Sequence, residues 1–315
     1  MRAPDSRIAF LIGLALAGAA ALICGPASAG ADETVAPPEG APAPPAAYAH
    51  HLRSLPCIQP ETGSRFSPLG LAFNLGGGLV VVDADASRLL AAPDSSFALA
   101  YFAGCPASAQ GCKLVDVAAD GDWLVVSDRA GGLVIVLDDQ GSEVTSVELG
   151  SGIGGIGLGP SGTVYGAMML SGQVVMADTY GGKSPMACPL AGGRDGSYPV
   201  DCLVQNSKRV LVTDAFAAEV LVLGPLGRPE GRLEGFDFEK PFGLALCLDR
   251  FVLVSDSELG CVAVFDARGK FLGTFGEGHL KTPAFLAARD DGTVCVADPG
   301  KLTIEVFQFD GPSGE

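Results

Sequence analysis

Three histidines, His50, His51 and His279, are all that the 315 residues contain. That shortage leaves little from which to build a Ser-His-Asp relay. His50 and His51 are adjacent, so on a strand they would point to opposite faces and could not share one metal ion. No Cys-x-x-Cys occurs, which removes support for a thioredoxin-like centre or a zinc knuckle. Basic residues are scarce too: 20 Lys+Arg face 36 Asp+Glu, a formal net charge of −16. So acidic a surface repels phosphate backbones and anionic headgroups, which argues against nucleic acid and membrane as partners. Cations and basic proteins are electrostatically allowed, and solubility alone also accounts for the charge.

Long apolar runs are missing except at the start, where Ile8 to Ile23 follows Arg2 and Arg7 and precedes Ala27-Ser28-Ala29. A positive segment, an apolar core and a small-residue cleavage site read as a signal peptide over residues 1–29. The run is short for a bilayer span. Cys24 raises a lipoprotein reading, but the large Ile23 before it does not suit a lipobox. Cleavage removes Arg2, Arg7 and Asp5 and leaves 18 basic against 35 acidic residues, net −17. The expected location is periplasmic or secreted, with no membrane insertion after cleavage. Eight cysteines then remain in an oxidising compartment, where disulfides form. Cys105 with Cys112, across a short polar loop, is the first expected pair, and Cys188 with Cys202 the second. Cys247 and Cys261 would stand on the first and third strands of one sheet, beyond disulfide reach. Cys57 and Cys295 stay unassigned.

What the chain has in plenty is hydrophobic residues (48%), 44 glycines and 22 prolines without a collagen period. That mixture fits an all-β fold with many turns. Residues 30–47, with Pro37-Pro38-Glu39-Gly40-Ala41-Pro42-Ala43-Pro44-Pro45, read as a Pro/Ala-rich disordered spacer. From Pro68 onward a unit of four short strands repeats at roughly forty-residue spacing, the scale of a propeller blade. Its clearest copy runs Pro241-Phe242-Gly243-Leu244-Ala245-Leu246, Phe251-Val252-Leu253-Val254-Ser255-Asp256, Gly260-Cys261-Val262-Ala263-Val264-Phe265-Asp266 and Gly269-Lys270-Phe271-Leu272-Gly273-Thr274-Phe275-Gly276. A marker at the end of the second strand falls at Asp83, Asp128, Ala167, Asp214, Asp256 and Asp298. Six copies fit and a seventh does not. The sixth lacks a fourth strand, so the segment Tyr48–Ile58 is expected to supply it, because an unpaired edge at each chain end would be left otherwise. The expected body is a six-bladed β-propeller over 48–311, its ring closed by an N-terminal strand in the last blade.

These elements resemble the NHL-repeat family of six-bladed propellers from Pro68 to Asp310, most strongly in the fifth and sixth copies. The resemblance implies architecture and leaves function open, since propellers carry binding, scaffolding, hydrolytic and lyase roles. In gluconolactonase- and regucalcin-like relatives the metal ligands precede the glycine that opens the inner strand. Here those positions are Leu69, Val115, Gly154, Val200, Phe242 and Ala284, none able to hold a hard cation through a side chain. Peptide-amidating lyases of the NHL class place zinc on three histidines from different blades, whereas two of the three here share the closing segment.

The repeated aspartates are expected to accept hydrogen bonds from turn N–H groups, since they recur with the repeat. Asp116 and Asp201 are singular: they open inner strands where other copies have Gly70, Gly155 and Gly243. They are candidates for the channel mouth, as solvated acids or as cation or ligand contacts. Asp83-Ala84-Asp85-Ala86-Ser87 opens like a calcium loop but reads as a polar turn, lacking the loop's glycine and distal Glu. Gly152-Ile153-Gly154-Gly155-Ile156-Gly157 lacks the βαβ context of a dinucleotide site. Trp123 is expected to pack between blades. The leading expectation is a monomeric, non-enzymatic, exported propeller without cofactor, binding a protein or peptide on its loop face through Asp116, Asp201, Arg129, Phe216 and Glu258. The alternative is a metal-dependent hydrolase or lyase using a divalent cation such as calcium in the central channel. A purely structural envelope component is a third reading.

Overall fold

The computed structural model describes residues 48–74, 76–93, 96–105, 111–121, 123–179, 197–205, 209–224 and 227–311, and 186–189 by backbone alone. The signal peptide and spacer expected over residues 1–47 lie outside the described residues. The body consists of six antiparallel four-stranded sheets, with no α-helix among the described residues. The first five blades are each built in chain order, from inner to outer strand. Blade one runs Pro68–Phe73, Leu79–Asp83, Arg88–Ala92, Ala100–Gly104; blade two runs Leu114–Asp120, Trp123–Asp128, Leu133–Leu137, Glu143–Glu148. Blade three runs Ile153–Leu158, Thr163–Met168, Gln173–Asp178, Met186–Pro189; blade four runs Pro199–Val204, Val210–Asp214, Glu219–Leu223, Pro229–Arg232. Blade five runs Pro241–Cys247, Phe251–Asp256, Cys261–Asp266, Phe271–Phe275. Blade six combines Leu286–Ala288, Thr293–Asp298 and Thr303–Phe309 with Ala49–Pro56 from the other end of the chain.

Each inner strand touches those of both neighbouring blades, including six against one, so the inner strands surround a single axis. Burial follows from this plan. Second strands such as Leu79–Asp83 and Phe251–Asp256 are buried throughout, because blades stack on both faces. That is why they read as unbroken Val/Leu/Ile runs rather than alternating ones. The outer strand Pro229–Arg232 is wholly exposed and Glu143–Glu148 nearly so. Between blades the cores are made of Val, Leu and Ile side chains, joined between blades five and six by Phe251, Phe275, Phe307 and Phe309, each fully buried side chain contributing about 1.5–3 kcal/mol. Trp123 packs half-buried against the core shared by blades two and three.

In blade six Ala49–Pro56 pairs antiparallel with Thr303–Phe309, from Ala49 opposite Phe309 to Pro56 opposite Thr303, with one bulge between His51 and Arg53. Beneath it lies Glu305, fully buried. Its carboxylate accepts hydrogen bonds from Ser54 Oγ (2.5 Å) and Thr303 Oγ1 (2.7 Å), and meets His51 Nε2 (2.8 Å) and Lys301 Nζ (2.6 Å). Burial works against ionisation here, but the bonds from Lys301, Ser54, Thr303 and His51 prevail and hold the carboxyl at about 2.

Strand register corrects one assignment. Met168 pairs with Ile153 and Gln173 as Asp128 pairs with Leu114 and Leu133, so Met168 rather than Ala167 occupies the marker position of blade three. The turn is the same in both blades: four residues lie between the paired ends of the second and third strands, a count that a comparison of apolar runs misses.

Cys105 and Cys112 are joined by a disulfide with Cα atoms 6.2 Å apart, tying the end of blade one to the entry of blade two. Closing so short a loop constrains the unfolded chain by about 2–3 kcal/mol. Cys105→Ser with Cys112→Ser is therefore expected to lower the urea-unfolding free energy by that amount; unchanged stability would mean the bridge does not form in solution. Cys202 is buried on the inner strand of blade four, and the side chain of Cys188 lies outside the described residues, as does that pairing. Cys57, Cys247, Cys261 and Cys295 are buried thiols without a disulfide. Burial pushes Cys247, Cys261 and Cys295 up to about 12, which makes them poor nucleophiles.

Candidate functional site

The marker aspartates hold turns. Asp256, fully buried, accepts from Glu258 N and Leu259 N in the turn after its strand, and from Glu239 N and Lys240 N in the segment entering the blade. Asp128 does the same for Ala130, Gly131 and Lys113, and Asp214 for Phe216, Ala217 and Tyr198. Each carboxylate thus fastens two loops of one blade to each other on one face. Arg129 N to Lys113 O and Ala215 N to Tyr198 O repeat the same tie through the backbone. This is the loop face, carrying the turns between second and third strands and the entries to the inner strands.

Just below it, six equivalent residues face the axis: Gly70, Asp116, Gly155, Asp201, Gly243 and Phe285. Every inner strand except that of blade six shows a register irregularity there. Glycine alternates with a larger residue because neighbouring strands come too close for two side chains. A Cβ on Gly155 would lie against the Asp201 carboxylate and 2.8 Å from Phe285 Cε1, across the ring. Asp116 and Asp201 are 5% and 3% exposed, and Phe285 is 3%. The two acids therefore do not stand solvated at the channel mouth, as their position in the sequence suggests. The strand irregularity turns them inward, and each spans two blades. Asp116 accepts from Val117 N (2.8 Å) and Ile156 N (3.0 Å); Asp201 accepts from Cys202 N (2.7 Å) and Leu244 N (2.8 Å). Ser127, Thr213 and Ser255 assist, each hydroxyl accepting an inner-strand N–H of its own blade and donating to a carbonyl of the next.

Burial raises the Asp116 carboxyl to about 7 against the pull of its two N–H donors. Asp201 is raised well above the usual carboxylate range, first by burial and then by the charge of Asp116. The chemistry available to this pair is proton storage, since all four oxygens already serve backbone donors. Among the described residues no group of three or more His, Cys, Asp or Glu is placed to hold a metal ion.

The loop face offers different material. Phe216 is 68% exposed, and Leu170 and Leu259 on the corresponding turns of blades three and five are 57% and 40% exposed. Glu258, beside Leu259, is exposed as well. Arg129 leans from blade two toward blade three, with Nε 3.5 Å from Ile153 O and Nη2 3.3 Å from Met169 Sδ. Burial lowers its pKa, and nearby Tyr198, itself raised by burial, partly restores it. Met169 covers Gly154, whose missing side chain leaves its space. So of the five expected contact residues, Arg129, Phe216 and Glu258 reach the loop face, whereas Asp116 and Asp201 lie inside it. Leu170, Leu259, Met169 and Tyr198 were not anticipated. Their signal in the sequence is an apolar residue in a turn where polar ones prevail.

The histidines do not gather at the axis. His51 stacks on His279 with centroids 4.1 Å apart beside Glu305, and His50 faces Asp310 at 3.3 Å in solvent. Glu305 lies between Ser54 and His51, so the hydroxyl is not presented to the imidazole as a nucleophile's would be.

Fold and axis together define an all-β, six-bladed propeller whose inner strands meet over buried side chains. No family model and no curated protein matches the chain. Among solved structures it is similar to a streptogramin B lyase, with a TM-score of 0.64 at 13% identity over 84% of this chain and 100% of the other. A catalytically inactive virginiamycin B lyase from Staphylococcus aureus with quinupristin gives 0.62 at 13%, over 81% and 98%. A chain of a mitotic checkpoint complex gives 0.59 at 10%, over 91% and 99%. At such identities the likeness concerns the fold alone, and lyase and assembly component share it.

Proposed function

We propose that this chain is an exported, NHL-like propeller that works as a monomer and without a cofactor, binding a protein or peptide partner through its loop face. The observation carrying this reading is the set Leu170, Phe216 and Leu259, exposed on matching turns of three consecutive blades beside a half-buried Arg129. Exposed large apolar residues grouped with an arginine are the usual material of a contact centre, and charged residues such as Glu258 of its rim. The disulfide between Cys105 and Cys112 is compatible with export. The acidic surface favours a partner of low negative charge over nucleic acid.

Leu170→Ser, Phe216→Ala and Leu259→Ser combined are expected to weaken a partner recovered from the native envelope fraction by thirtyfold or more, measured by calorimetry, while Glu258→Ala costs less than threefold. Equal affinity in the triple variant would refute the placement. The rival reading, a metal-dependent hydrolase or lyase working at the axis, shares its fold with the lyases named above. Stoichiometric calcium or zinc in natively purified protein, lost in Asp116→Asn or Asp201→Asn, would decide for it.

A further inference from the structure

Arg129 differs from the ion-paired arginines of the described body. Arg88 meets Asp83 and Glu61, Arg209 meets Glu230, Arg232 meets Glu219, and Arg289 meets Asp291, all within 3.6 Å. Arg129 has no carboxylate within ion-pair reach among the described residues, in a chain with 36 acids. Its two contacts are a carbonyl at the limit of hydrogen-bond distance and a thioether, a weak acceptor. A guanidinium has five N–H donors in a planar fork that matches a carboxylate with two parallel bonds. Half-buried and unpaired, it gains most from a ligand that brings that group.

Resting on the reading of the loop face as a binding surface, we propose that Arg129 receives the C-terminal carboxylate of a peptide whose last side chain is apolar. The surroundings select this chemistry. Met169 beside the fork, with exposed Leu170 and Phe216 on the same face, suits an apolar residue. A net charge of −16 repels a run of acidic side chains, whereas one terminal carboxylate on an apolar residue brings a single charge to the Arg129 fork.

The test uses a fluorescein-labelled heptapeptide, Gly-Ser-Gly-Ser-Gly-Leu-Phe, as free acid and as C-terminal amide, titrated with the full mature chain by fluorescence anisotropy. The free acid is expected to bind at least tenfold more tightly than the amide. Arg129→Gln should bring the two to the same affinity, Arg129→Lys should keep part of the preference, and Leu170→Ser with Phe216→Ser should weaken acid and amide alike. Circular-dichroism melting of each variant reports folding, and the acid–amide comparison in the unaltered protein needs no variant. Equal binding of acid and amide, no binding of either, or a preference that survives Arg129→Gln overturns the proposal. If acid and amide bind equally and the Leu170/Phe216 variant loses both, the loop face still binds peptides and only the carboxylate assignment fails.

Discussion

Gly70→Ala is expected to destabilise the propeller by about 3 kcal/mol or more, a fall in Tm of roughly 6–12 °C. An ideal Cβ there would stand 2.5 Å from Asp116 Cα, 2.8 Å from Val117 N and 2.9 Å from Asp116 C. These are backbone atoms of the next inner strand, so no rotamer change can move them aside. Relief requires blades one and two to part, which also disturbs the Asp116 bonds to Val117 and Ile156. Gly76→Ala supplies the comparison, because the nearest atom to its Cβ is Asn74 Oδ1 at 3.5 Å. It should change stability by no more than about 0.5 kcal/mol. Equal melting temperatures for the two variants would show that the inner strands of blades one and two stand further apart than the axis geometry requires.

Stability is expected to fall as pH rises from about 4 to about 7, by a few kcal/mol, because of the axial acids. Asp116 has an ordinary value of 3.8 and a folded value of about 7. The folded state therefore holds a proton that the unfolded chain has already released in that interval, so stability declines with rising pH. The stabilisation is complete below about 4 and lost as pH passes through 7; a shift of three units corresponds to about 4 kcal/mol for one such group. Asp201 is displaced in the same direction. Glu305 acts oppositely: its carboxyl is lowered from 4.5 to about 2, so its contribution is present above 4.5 and lost as pH falls through 2. The two windows meet near pH 4, where maximum stability should lie. Urea unfolding at pH 4.5 and 7 measures the slope, and Asp116→Asn should flatten it whatever that variant's absolute stability. A wild-type slope that is level or rising, or one untouched by Asp116→Asn, would sink the idea that these carboxyls titrate together inside the axis.

Much of this protein is legible in local spacing. Hydrophobic runs broken by Asp and Gly place the second and third strands because backbone pairing and turn closure depend on residues close in the chain. The same locality makes Asp83, Asp128, Asp214, Asp256 and Asp298 recognisable as turn acceptors, and the missing fourth strand of the last blade points to Ala49–Pro56. Met168 escaped because an apolar residue stands at the marker, so nothing in the pattern shows where its strand, Thr163–Met168, ends. The burial of Asp116 and Asp201 escaped for a different reason: which face of an inner strand turns toward the axis depends on a strand irregularity and on the approach of the next blade.

From its residues alone the chain determines how many sheets it forms, roughly where their second and third strands run, and which acids fasten the turns. Those are consequences of nearest-neighbour backbone chemistry. Only the tertiary structure decided that Gly155, Asp201 and Phe285, from blades three, four and six, meet on one axis. It alone decided that Leu170, Phe216 and Leu259 share one face with an arginine that has no carboxylate partner among the described residues. Such meetings arise when separate repeats are carried round a ring, and the distance across that ring is set by packing between blades rather than by anything the intervening residues encode.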